Sequence, residues 1–118
     1  GICPTPPKNE IRKTALGATE SMDWEYFENT ADCIKTLAEK DFSILSIEQA
    51  DNSIELQDFE IDSSKKIALI FGNEVNGVSN ECIALSDGVI EIPQHGTKHS
   101  FNVSVSAGIV LWDLAKKL

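Results

Sequence analysis

The side chains best suited to chemistry crowd into the last third of the chain. An apolar run over residues 67–71 breaks into Gly72-Asn73-Glu74-Val75-Asn76-Gly77. A second run, 89–92, ends in Pro93-Gln94-His95-Gly96, and Ser100-Phe101-Asn102-Val103-Ser104 then opens a helix of small residues. Two buried strands thus each terminate in a polar, glycine-containing loop, and a third polar cluster follows. Ligands of open α/β sheets bind beyond the carboxyl ends of the strands, so the three loops form a candidate binding site. Metal chemistry is not what the spacing suggests. His95 and His99 would face one ion on a helix, but Gly96 and the loop context spoil that geometry, and no carboxylate or cysteine completes a set. Cys3, Cys33 and Cys82 are scattered without a CxxC pair, as expected of reduced thiols in a cytoplasmic protein. Cys33 and Cys82 fall in helix-like apolar patterns and are expected in the core.

The elements that must position these loops can be read from the rest of the chain. Prolines at positions 4, 6 and 7 mark an extended loop, and Asn9 can cap a helix over residues 9–16 that stops at Gly17. Residues 23–27 alternate like a short strand. Thr30 or Asp32 starts a helix reaching about residue 40, and residues 42–47 form a strand. The acidic stretch 52–62, with Ile54, Leu56, Phe59 and Ile61 alternating, reads as an exposed connection with a short turn or strand. Residues 66–71 form a buried strand, Ser79 caps a helix over about 80–85, and 89–92 form another strand. A helix over about 102–118 closes the chain. Short apolar strands separated by helices predict an α/β fold, a mostly parallel sheet with helices on both faces. In the last helix Ser104, Ser106, Ala107 and Gly108 let backbones approach closely, whether to a ligand, another helix, a dimer mate or the monomer's own core.

At 118 residues the chain makes one domain, 1–118, able to bury roughly two-thirds of its unfolded surface. Its apolar and charged fractions, 42% and 25%, are those of a globular protein, and no segment approaches the roughly 18 apolar residues of a membrane helix. Ten basic residues face nineteen acidic ones, a net charge of −9. Electrostatic binding to nucleic acid needs clustered Lys and Arg, so on charge alone this chain binds it poorly. The start, Gly1-Ile2-Cys3-Pro4, has neither an initiator Met nor a signal sequence and reads as the middle of a longer protein.

Residues 67–79, Ile-Ala-Leu-Ile-Phe-Gly-Asn-Glu-Val-Asn-Gly-Val-Ser, resemble the second motif of the SpoU (TrmH-type) RNA 2′-O-ribose methyltransferases, members of the SPOUT superfamily. The block Val89-Ile90-Glu91-Ile92-Pro93-Gln94-His95-Gly96, followed by Ser100-Phe101-Asn102-Val103-Ser104, resembles the third. Upstream, Ile11-Arg12-Lys13-Thr14-Ala15-Leu16-Gly17-Ala18 is similar to the helix after that family's second strand. The resemblance implies a doubly wound sheet whose C-terminal part is threaded into a deep trefoil knot. It implies S-adenosylmethionine as cofactor, held in a bent shape mainly by main-chain groups of Gly72, Ile92 and Phe101, with Asn73, Gly77 and Gln94 lining the pocket. Phe101 stands where the family usually has leucine, and Gln94 where methionine is common. The implied reaction is attack of a ribose 2′-hydroxyl of tRNA or rRNA on the sulfonium methyl. Glu74, Ser100 and Asn102 match positions that shape the catalytic centre. The family further implies a homodimer, in which Trp112 would meet the second subunit.

One departure stands out. The family's first motif, an Asn…Gly…Arg-Thr-Ala-type segment that supplies an arginine, has no match here, and Arg12, the only arginine, sits in a different context. Two readings of different class follow. One is a methyltransferase domain whose first motif precedes Gly1. The other is a non-catalytic SPOUT-like module binding the cofactor or a protein, favoured by the acidic charge and the absent arginine. A nucleotide-binding domain of another α/β type lacks support, since neither GxGxxG nor GxxxxGK[ST] occurs.

Overall fold

Phe42–Ile47 form β1, and their aromatic and β-branched side chains suit a strand covered on both faces. The computed structural model describes residues 22–73, 75–93 and 102–118. Within them β1 pairs in parallel with β3 (Lys66–Phe71) on one side and β4 (Gly88–Glu91) on the other. β4 pairs in parallel with the two-residue β2 (Ile54–Glu55), giving the order β2-β4-β1-β3.

Successive side chains of a strand point to opposite faces, and each face carries its own cluster. On one, Ile44 packs with Val78, with Ile34 of α1 (Thr30–Glu39) and with Cys82 of α2 (Asn80–Leu85). On the other, Leu45 and Ile90 meet Val110 and Leu114 of α3 (Val103–Lys117) and Leu56 of the 3₁₀ turn Leu56–Asp58. The predicted sheet with helices on both faces is therefore the observed one. Each helix begins on a side-chain cap that accepts from a free backbone N–H: Asn29 from Ala31, Ser79 from Cys82, and Asn102 from Ser104. Asp41 takes the left-handed conformation, φ 64°, just after α1.

The structure departs from the sequence reading in three places. Residues 23–27 are not a strand: Trp24 and Tyr26 are 52% and 50% exposed, and no described strand pairs with the segment. Alternation makes a strand only where a neighbour supplies the ladder. The 52–62 connection is less exposed than its acidity suggests, because Leu56 is buried and Phe59 and Ile61 pack against the second cluster. Cys82 is a core residue, whereas Cys33 is only partly buried. The predicted helix over 9–16 lies outside the described residues.

β4 lies between β1 and β2, so the β1–β2 connection, residues 48–53, must cross β4's carboxyl end. Ser53 Oγ fixes this arch by donating to Glu91 Oε1 at 2.7 Å. The 94–101 segment, on which the expected knot depends, lies outside the described residues.

At its far end α3 is clamped by Lys117. The ammonium donates to the carbonyls of Leu56 and Phe59, at 2.7 and 2.9 Å, and pairs with Asp113 at 2.7 Å. The hydrogen bond from Lys117 holds the Asp113 carboxyl below the usual carboxylate range. Lys117→Met is expected to cost about 1–3 kcal/mol of stability, read from urea unfolding at neutral pH. Because Asp113 has the lower pKa in the folded state, the unfolded chain takes up its proton first. The stabilisation is present above the unfolded carboxylate pKa and is lost as pH falls through the folded one. Lys117→Met should flatten that acid limb; parallel acid limbs for wild type and variant would contradict the pairing.

Candidate functional site

Ile47 stands level with Phe71 of β3 and Ile90 of β4, so three parallel strands end side by side, roughly 4.8 Å apart. The chain continues from these ends as Glu48, Gly72 and Glu91-Ile92. Two of the three predicted loops therefore begin on either side of Glu48, and the third polar cluster re-enters at Asn102, the cap of α3.

The loop after β3 closes on itself. Asn73 Oδ1 accepts from the N–H groups of Val75 and Asn76, at 2.9 and 2.7 Å, and Gly77 N donates to Asn73 O at 3.0 Å. Gly77 sits at φ 65°, in the left-handed region that glycine enters without steric cost. Gly72 is required for a different reason. A Cβ there would lie 2.0 Å from the carbonyl carbon of Gly77 and 2.3 Å from Val78 N. The space freed at Gly72 is thus filled by the loop's own backbone.

Glu48, which sequence reasoning did not single out, ties this loop to the sheet. Its Oε2 accepts from Val78 N at 2.9 Å and its Oε1 from Gln49 N at 3.1 Å, while its own N–H donates to Ile90 O at 3.0 Å. The available signal was a carboxylate placed directly after a buried apolar strand.

The predicted site residues divide between the two faces. Asn73 and Gly77 line an open cleft of about 840 Å³ on the α1/α2 face, with Asn29, Val78 and Cys82 among its walls. Glu28, Asp32 and Glu81 also line it, and among the described residues no Lys or Arg does, a lining that does not suit a phosphate. Ile92 instead packs against the cluster under α3. Asn102 Oδ1 is committed to capping, accepting from Ser104 N at 2.9 Å and Ser104 Oγ at 2.6 Å. Its amide nitrogen has no protein partner among the described residues. Glu74, Gln94, Ser100 and Phe101 lie outside the described residues, as do His95 and His99. No group of His, Cys, Asp and Glu able to hold a metal occurs among the described residues.

A family model described as the SpoU rRNA Methylase family matches residues 2–112. The tRNA (guanosine(18)-2'-O)-methyltransferase of Borreliella burgdorferi is 30% identical over 103 residues, 87% of this chain and 46% of that protein. The protein of the same name from Thermus thermophilus is 33% identical over 100 residues, 82% of this chain and 50% of the other. The chain spans about half the length of these relatives. Among solved structures, the A. aeolicus TrmH/SpoU tRNA modifying enzyme matches 90% of this chain and 53% of its own, with a TM-score of 0.79 and 27% identity. The AdoMet-bound rRNA methyltransferase from Sinorhizobium meliloti matches 100% of this chain and 44% of its own, with a TM-score of 0.88 and 24% identity, a likeness of fold.

Gly72→Ala should open the loop, because two backbone segments cannot yield to a methyl group as a flexible side chain could. Hydrogen exchange reads this directly. The Gly77 amide, bonded to Asn73 O, is expected to lose its protection while the β1 amides keep theirs; a protected Gly77 amide in the variant would refute the closure.

Proposed function

The chain belongs to the SpoU rRNA Methylase family, and from that membership we propose that the whole protein methylates a ribose 2′-hydroxyl of tRNA or rRNA using S-adenosylmethionine. The observation that carries this reading is the convergence of the family's two motif blocks at one end of a parallel sheet, with Glu48 between them.

The chemistry of the residues suits the cofactor. Main-chain groups of Gly72 and Ile92 follow the ends of the two strands that flank β1, beside the apolar side chains of Phe71 and Ile92, a setting for an adenine edge and ring. We assign Asn73, Gly77, Gln94 and Phe101 to the same pocket. The bound cofactor supplies an electrophilic methyl group on a sulfonium sulfur. A ribose hydroxyl is a weak nucleophile, so the protein must orient it and ease removal of its proton. Asn102 suits the orienting role, because capping fixes its carboxamide through Oδ1 and leaves Nδ2 as a donor. Ser100 is placed beside it in sequence and offers a hydroxyl, while Glu74 anchors loops or a basic partner at the same centre. The net charge of −9 assigns RNA attraction to parts of the assembly beyond this chain. No described helix is long and apolar enough to cross a membrane, and Cys33 and Cys82 are free thiols. Cytoplasmic residence suits both.

We further propose a homodimer, built on α3. Val105, Gly108, Ile109 and Trp112 share one helix face, with Trp112 72% and Val105 49% exposed. A Cβ on Gly108 would meet nothing within 4 Å, so packing within the described chain does not explain the small residue. A second copy of the helix does. The trefoil knot expected of the C-terminal part belongs to the same family reading.

Methyl transfer from labelled S-adenosylmethionine to tRNA and rRNA transcripts tests the activity in the natural full-length protein. Cofactor binding without transfer to any RNA would favour the non-catalytic module. Asn102→Asp preserves the cap and removes the amide donor. It should lower kcat by about 100-fold or more with little change in Tm, and an active variant would remove Asn102 from the centre. Trp112→Glu should convert the dimer to monomer in sedimentation experiments, and an unchanged sedimentation coefficient would place the interface elsewhere.

A further inference from the structure

Glu48 serves two strand ends at once. Its backbone extends the β1–β4 ladder by donating to Ile90 O, two residues before Ile92. Its side chain turns the other way, toward the loop of β3, and accepts from Val78 N. Val78 is itself buried, 7% exposed, and belongs to the cluster on the α1/α2 face. Without the Glu48 carboxylate, the N–H of this buried residue would lose its acceptor. The fit is close on the other side too. A Cβ on Gly77 would lie 2.2 Å from Glu48 Oε2, so the carboxylate occupies the place a side chain would take. Gly77 is thereby constrained twice, by its φ of 65° and by this neighbour.

We propose that Glu48 is a positioning residue for S-adenosylmethionine binding: it fixes the 72–79 loop relative to the β4 end, and so sets the distance between the two cofactor-holding segments. This rests on the methyltransferase reading above. Glu48 touches neither cofactor nor RNA in this role. It acts through Val78 N and the turn at Gly77. Misplacement of a binding group by about 1 Å can cost on the order of 100-fold, so loss of the tie should appear mainly in cofactor affinity.

The test compares wild type, Glu48→Ala, Glu48→Gln and Glu48→Asp in the natural full-length protein, by calorimetric titration with S-adenosylmethionine and by steady-state methyl transfer. Glu48→Ala is expected to raise Kd and KM for the cofactor about 10- to 100-fold while KM for RNA stays at the wild-type value. Glu48→Gln should recover most of the loss, because its carboxamide oxygen still accepts from Val78 N. Should Glu48→Ala fail to fold, Glu48→Asp decides, since it keeps the charge but withdraws the acceptor by one methylene and should still weaken cofactor binding. Wild-type affinity in folded Glu48→Ala, or in Glu48→Asp when it decides, overturns the proposal. So does equal loss in the Ala and Gln variants. A wild-type protein that takes up no S-adenosylmethionine overturns the methyltransferase reading as well, and the two failures are thereby told apart.

Discussion

The place of β4 is the constraint on which the rest depends. It lies between β1 and β2, strands that precede it in the chain and are joined by only residues 48–53. That short connection has to span two interstrand spacings, about 9–10 Å, across the end of β4. Both ends of the arch are put to use: Glu48 binds Val78 N and Ser53 binds Glu91. Parallel pairing adds the other half of the geometry, because it delivers all the carboxyl ends to one side of the sheet. Loops far apart in sequence then leave the sheet as neighbours.

Much of this is legible residue by residue. The strands at 42–47 and 66–71 have their observed limits in the sequence because each is a short, mostly apolar segment flanked by polar or glycine residues. Ser79 as the cap of the 80–85 helix, and a closing helix starting near residue 102, are legible from local capping chemistry. What cannot be read depends on distant partners. β2 is two residues long and exists only because β4 runs beside it. The Glu48 contact spans thirty positions and the Lys117 contact to Leu56 sixty-one. A carboxylate directly after β1 draws the eye to Glu48, but nothing local names the distant partner of either side chain. At residues 23–27 a local pattern is present, but no partner strand lies among the described residues.

The candidate site shows the same division. Glycines 72 and 77 stand out by motif, but the reasons for them differ: one makes room for the loop's own backbone, the other reverses the chain and leaves room for a carboxylate. Asn102 caps α3 through its oxygen, which leaves its nitrogen without a protein partner among the described residues. Charge is the feature that sequence and structure report alike. The cleft beside Asn73 is lined with carboxylates, and Lys65, Lys116 and Lys117 are engaged with Asp41 and Asp113. Ten basic residues against nineteen acidic ones leave the chain poorly suited to attract a phosphate backbone.

The way α3 lies on the sheet makes it a lever. Its two buried residues, Val110 and Leu114, and the Lys117 clamp lie from the middle of the helix onward, whereas Asn102 caps the opposite end. A rigid rod fixed near one end transmits small rotations to the other, magnified by its length. From Val110 to Asn102 that arm is about 12 Å. The partner helix proposed for Val105 and Ile109 would bear on this free arm, and would then set the angle at Asn102 from outside this chain's own core.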